Sequence, residues 1–96
     1  MQVITTEKGM FLETEHTTGN KAWTAKLVGT DPKFKFNREV LNSTRKGLKL
    51  DLIQEGDIIE NVEFSHSGKS RNNYYYKVQD GKLISITEKD AILHFA

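Results

Sequence analysis

The 96-residue chain has no cysteine and a net charge of +1, so it suits a single domain, residues 1–96, with neither a disulfide framework nor a thiolate metal site to reinforce a modest core. The net charge alone implies no polyanionic partner, and no apolar run approaches the length of a membrane span. The first residues lack a basic region followed by an apolar run, so no secretory signal is expected, and a cytoplasmic location is expected, which the lack of cysteine fits.

Period-two alternation outweighs helical periodicity nearly everywhere along the chain. Val3–Thr6 and Met10–Thr14 flank Glu7-Lys8-Gly9, a hairpin turn in which Gly supplies a positive φ. After the polar loop Thr17–Asn20, the stretch Lys21–Val28 alternates, with Trp23, Ala25 and Leu27 on the expected core face. Gly29-Thr30-Asp31-Pro32 is the strongest turn signal, because Pro fixes its own φ and biases the residue before it away from helix. Phe34, Phe36, Arg38 and Val40 then share one strand face. Asn42–Lys49 is polar and basic and reads as a long connection.

Leu50, Leu52 and Ile53 lead into the turn Gln54–Asp57 and a strand Ile58–Phe64, whose apolar face is interrupted by Glu60. Ser67–Asn73 reads as a loop. Tyr74–Val78 and Lys82–Thr87 around Gln79-Asp80-Gly81 form the clearest hairpin, since Asp-Gly favours a primed turn. Thr87-Glu88-Lys89-Asp90 resembles a helix N-cap with an acid three residues on, opening a short helical turn through Leu93. The expected fold is mainly β: a small barrel, or an SH3-like or sandwich-like sheet, of about six short strands with a short C-terminal helical turn.

Charge is segregated. Six basic residues against one acid lie between Lys33 and Lys49, five acids and no base between Asp51 and Glu63, and three basic residues and no acid between Ser65 and Val78. Opposite charges on neighbouring strands would pair across a sheet. Catalytic and metal signatures fail on context. Gly68-Lys69-Ser70 looks like the tail of a phosphate-binding loop, but no glycine opens that loop and a tyrosine-rich strand follows it instead of a helix. His16, His66 and His94 have no ligand spacing. Ser65 and Ser67 flank His66 and so point to the opposite strand face. The carboxylates Glu55 with Asp57, and Glu60 with Glu63, read as a solvated charged face. No cofactor and no metal is expected, and an enzyme with a site around His66 is the least supported reading.

The remaining candidate is a binding surface. Lys33, Lys35, Arg38, Arg45, Lys46, Lys69, Arg71, Tyr75 and Lys77 place cations beside aromatic side chains, the combination with which sheets stack bases and track phosphates. Phe34 and Phe36 are most simply core. Of the three consecutive tyrosines, Tyr74 and Tyr76 face one way and Tyr75 the other, so at least one ring should be exposed or at an edge. The expected function is a non-enzymatic binding module with nucleic acid as the leading ligand. The alternative is a protein-interaction or inhibitor module, or a homo-oligomer, in which the same residues pack on a protein partner or a second copy.

The stretch Gly19–Glu39, with Ala22-Trp23-Thr24-Ala25-Lys26-Leu27-Val28-Gly29-Thr30-Asp31-Pro32 at its centre, resembles the front of a family of short uncharacterised proteins of bacteria and their mobile elements. Tyr75–Leu83 with Ile86-Thr87 resembles the close of that family. Together these stretches cover about a third of the chain. The resemblance implies a phage or mobile-element setting and carries no activity with it.

Overall fold

A computed structural model describes residues 1–16, 22–42, 47–65 and 69–96. The elements follow in the order β1 (Gln2–Thr6), β2 (Gly9–His16), β3 (Ala22–Thr30), β4 (Phe36–Asn42), β5 (Gly47–Ile53), β6 (Ile58–Phe64), β7 (Arg71–Gln79), β8 (Lys82–Ile86) and α1 (Glu88–His94). Every ladder is antiparallel, and the strands form two sheets, β1-β2-β5 and β4-β3-β6-β7-β8. The chain is therefore mainly β with a short C-terminal helix. At the two seams β1 approaches β8 and β4 approaches β5, but no closed barrel is found among the described residues.

Strands are more numerous than the sequence suggests. β4 runs on to Asn42 and β5 starts at Gly47, so both ends of the expected Asn42–Lys49 connection are strand. Arg71–Asn73, expected as loop, opens β7. Polar residues satisfy a strand as well as a loop wherever one sheet face meets water. The expected loop Thr17–Asn20 and residues 21, 43–46 and 66–68 lie outside the described residues.

Gly29 and Thr30, expected in the turn Gly29–Pro32, end β3 and pair with β4, while the β7–β8 turn forms as its residues dictate. Asp80 (φ 52°) and Gly81 (φ 71°) are both left-handed, the geometry of a two-residue primed turn whose twist matches the flanking strands. The Glu55 carboxylate accepts hydrogen bonds from the Asp80 and Gly81 N–H groups, while the Gly56 N–H donates to the Val78 carbonyl at 2.8 Å and the Val78 N–H to that of Asp57 at 2.9 Å. Asp57 in turn accepts from the Gln54 N–H at 2.8 Å. Glu55 and Asp57 thus lock the β5–β6 turn onto the β7–β8 hairpin; they are not an idle charged face. At α1 the Thr87 side chain accepts from the Asp90 N–H and the Asp90 side chain from the Thr87 N–H, the reciprocal box expected from the sequence.

Two apolar clusters hold the layers together. Leu12 and Ile53 of the smaller sheet meet Ile59 and Val78 of the larger one. On the opposite face of the larger sheet, Leu27, Phe36, Ile58 and Tyr75 pack with Ala91, Ile92 and Phe95 of the helical end. The larger sheet is therefore covered on both faces, which is why Ala22 and Thr24 are as buried as Ala25 and Leu27. Trp23, expected to be the largest core member, is only half-buried. It packs against Phe64 with the rings tilted at 60° and their centroids 5.3 Å apart.

Asp51 pairs with Leu12 across the smaller sheet, and its Oδ2 is buried without a hydrogen-bond partner. Burial pushes its pKa up, with Lys49 opposing in part. The folded state therefore binds a proton more tightly than the unfolded chain, so Asp51 costs stability once the pH exceeds its unfolded value. Asp51→Asn is expected to raise the urea midpoint at pH 7, with the gain fading as the pH falls toward about 4; a lowered midpoint at pH 7 contradicts this.

Candidate functional site

Glu60 breaks an apolar face in the sequence, and it lies fully buried on the face of β6 that looks toward α1. Its register neighbours are Ala25 on β3 and Tyr75 on β7. An ionised carboxylate cannot be left there unpaired without a penalty of several kcal/mol. Arg38 supplies the partner. It sits on β4 opposite Leu27 and reaches across β3, where the small Ala25 leaves room for it. Its Nε donates to Glu60 Oε1 at 2.6 Å and its Nη2 to Oε2 at 3.2 Å, while Nη1 donates to the Phe36 carbonyl at 3.0 Å. The hydrogen bond with Glu60 raises the Arg38 pKa against the opposing effect of burial.

Arg38 is thus the bridge between the buried acid and the surface, its side chain about 30% exposed. The basic and acidic segments of the sequence meet here; a second ion pair, Lys26–Glu39 at 3.4 Å, joins β3 to β4.

A second wall comes from the β3–β4 turn. Asp31 Oδ1 accepts from the Lys33 N–H at 3.0 Å and the Lys35 N–H at 2.8 Å, and backbone bonds join Asp31 to Phe34 and Lys35. This cradle delays the strand until Phe36, so Phe34 does not share the strand face with it as expected. Phe36 is core. Phe34 has a φ of 61°, a strained conformation for a bulky residue, and its side chain is 72% exposed.

The third wall is β7, whose alternation sends Arg71, Asn73 and Tyr75 to one face. The Arg71 guanidinium lies 5.6 Å from the Trp23 ring centroid, within cation–π range, and its Nε donates to Asn73 Oδ1 at 3.0 Å. Asn73 Nδ2 donates to the Tyr75 hydroxyl at 3.3 Å. Burial pushes the Tyr75 pKa up, and its ring packs 5.6 Å from that of Phe36. Tyr75, expected on a binding surface, is therefore nearly covered. Tyr74 is the exposed one, because it faces away from the helix.

These walls enclose a groove of about 360 Å³ lined by Phe34, Lys35, Phe36, Arg38, Arg71, Asn73, Tyr75 and Glu88. Of the residues expected at a binding surface, Lys35, Arg38, Arg71 and Tyr75 come together here. Lys33 and Lys69 are exposed but outside the lining, and Lys77 lies two residues along β7, paired with Ile58 and Ile84. Arg45, Lys46 and His66 lie outside the described residues. Sequence reading missed Asn73 and Glu88 as lining residues, and Glu60 as the partner of Arg38. For Glu60 the signal was present, as a single acid at an apolar register position.

Among the described residues no group of three or more His, Cys, Asp or Glu side chains could hold a metal ion, and no helix is long and apolar enough to cross a membrane. The chain matches no protein-family model, no curated protein and no solved structure at a significant level.

Removing one partner of the buried pair leaves the other uncompensated. Arg38→Ala is expected to cost about 3 kcal/mol in urea denaturation, and the double change Arg38→Met with Glu60→Leu to recover most of that loss. An Arg38→Ala protein as stable as the parent rules this account out.

Proposed function

We propose that the protein is a small non-enzymatic binding module whose groove between the β3–β4 turn and β7 takes single-stranded nucleic acid. The observation that carries this reading is the convergence of an outward, backbone-strained Phe34 with Lys35 and Arg71 on one open groove. An exposed ring offers a stacking platform to any base, and two cations beside it can track the adjacent phosphates. Arg38 contributes less net charge, since Glu60 neutralises it. The groove is walled on three sides and suits an unstacked strand better than a rigid duplex, whose bases are not free to stack on a side chain.

The test uses nuclease-treated protein and labelled single- and double-stranded oligonucleotides across a salt series. Single strands are expected to bind more tightly than duplex, with a log–log salt slope of about −0.7 for each phosphate neutralised. Phe34→Ala should weaken binding by about tenfold, as loss of one stacking contact of roughly 1–3 kcal/mol implies, and Lys35→Glu with Arg71→Glu should abolish it. If no oligonucleotide binds at low salt, the reading is wrong.

A second reading rests on the outer face of the smaller sheet. Leu50 and Leu52 are 57% and 59% exposed, and Ile4, Phe11 and Leu52 form one cross-strand row. Clustered apolar side chains on an open sheet face are the kind of surface that protein partners cover. On this reading light scattering gives a mass above that of the monomer, or the protein retains a partner, and Leu52→Glu returns it to a monomer without partner. A monomer that retains no partner before the substitution removes it.

A further inference from the structure

The inter-sheet face of β7 carries a site of different chemistry from the groove. Tyr74 and Tyr76 alternate with Tyr75 and so point between the two sheets. There they line a cavity of about 460 Å³ together with Asn61 and Glu63 of β6, Thr14 of β2, Leu83 of β8 and Met1. Asn61 stands directly opposite Tyr74, and Ile59 opposite Tyr76, so Glu63 and Tyr76 lie at the two diagonals of the Asn61–Tyr74 pair. Diagonal neighbours on one face are within reach of long and aromatic side chains. The electrostatics agree with this placement: burial raises the Tyr76 pKa, and Tyr74 and Glu63 push it the same way.

The cavity is rich in acceptors. Asn61 donates one N–H to the Thr24 hydroxyl at 3.1 Å, which orients its amide and keeps a carbonyl oxygen as an acceptor. Among the described residues Glu63 forms no ion pair, and neither lysine nor arginine lines the cavity. Two phenol rings bring their π faces and oxygens, and Leu83 and the side chain of Met1, whose amino group is itself a cation, add apolar wall. One carboxylate is too few for a hard divalent cation, which takes six or more oxygen ligands or a nearly complete water shell. A cation with an apolar surface meets every feature: its charge faces the carboxylate and the ring faces, and its carbon atoms face the rings and Leu83.

We propose that this cavity binds an organic ammonium ion. The site is independent of the groove, since Tyr74 and Tyr76 lie on the opposite sheet face from Arg71 and Tyr75. The test titrates the protein with tetramethylammonium chloride and, at matched ionic strength, with sodium chloride, following the tyrosine ring signals by NMR. Tetramethylammonium is expected to give a saturable shift of the Tyr74 and Tyr76 signals that sodium does not. Glu63→Gln, at an exposed position, and Tyr74→Leu should each weaken binding by several-fold, as ionic and cation–π contacts at a partly exposed site imply. Equal shifts with sodium, or a Glu63→Gln protein with an unchanged melting profile that binds as tightly as the parent, overturn the proposal.

Discussion

The ion pair between Arg38 and Glu60 ties the larger sheet together from its edge strand to its centre. Glu60 lies on the middle strand, on a face where its neighbours are Ala25, Tyr75 and, on alternate β6 positions, Ile58 and Val62. A carboxylate in such surroundings is tolerable only with two good donors, and the guanidinium fork supplies both. The same guanidinium also holds the Phe36 carbonyl. The first residue of β4 is thereby held at the sheet, and with it the end of the β3–β4 turn that carries Phe34 and Lys35. The pair contributes little more to raw stability than an apolar replacement would, but it places one wall of the groove.

The second organising constraint is that the larger sheet is covered on both faces by unequal partners. The smaller sheet covers one side, with a compact apolar cluster at one end and polar side chains at the other. A helix of only seven residues covers the other side, where Trp23 and Asn73 stay half-buried and Arg71 exposed. Strand alternation then divides β7 between two chemistries. Arg71, Asn73 and Tyr75 contribute to a cationic, aromatic groove, and Tyr74 and Tyr76 to an acceptor-rich cavity. Three consecutive tyrosines are thus one core residue flanked by two that line the opposite face.

Much of the local structure was legible in the chain. Asp80-Gly81 demanded a primed turn, Asp31-Pro32 ended β3, and Thr87 with Asp90 opened the helix, because in each case the residues satisfy nearby backbone groups without tertiary help. The polar strand end at Arg71–Asn73 was not legible, since alternation vanishes where both side-chain sets are hydrophilic. Phe34 was misread for another reason. Its spacing from Phe36 fits a strand, and only the hydrogen bonds gathered by Asp31 show that the turn extends past it.

The sequence by itself determined a cysteine-free, β-rich domain, the places where the chain must reverse, and the two basic segments that bracket an acidic one. These follow from interactions among residues close in the chain. Tertiary structure alone decided that Lys35 and Arg71, 36 residues apart, border one groove, that Glu60 is a buried counter-ion and not a solvated charge, and that Tyr75 is core while Tyr74 is open. Each of those outcomes depends on strand order and on what covers each sheet face. Period-two patterning specifies that two faces exist; it does not specify their neighbours.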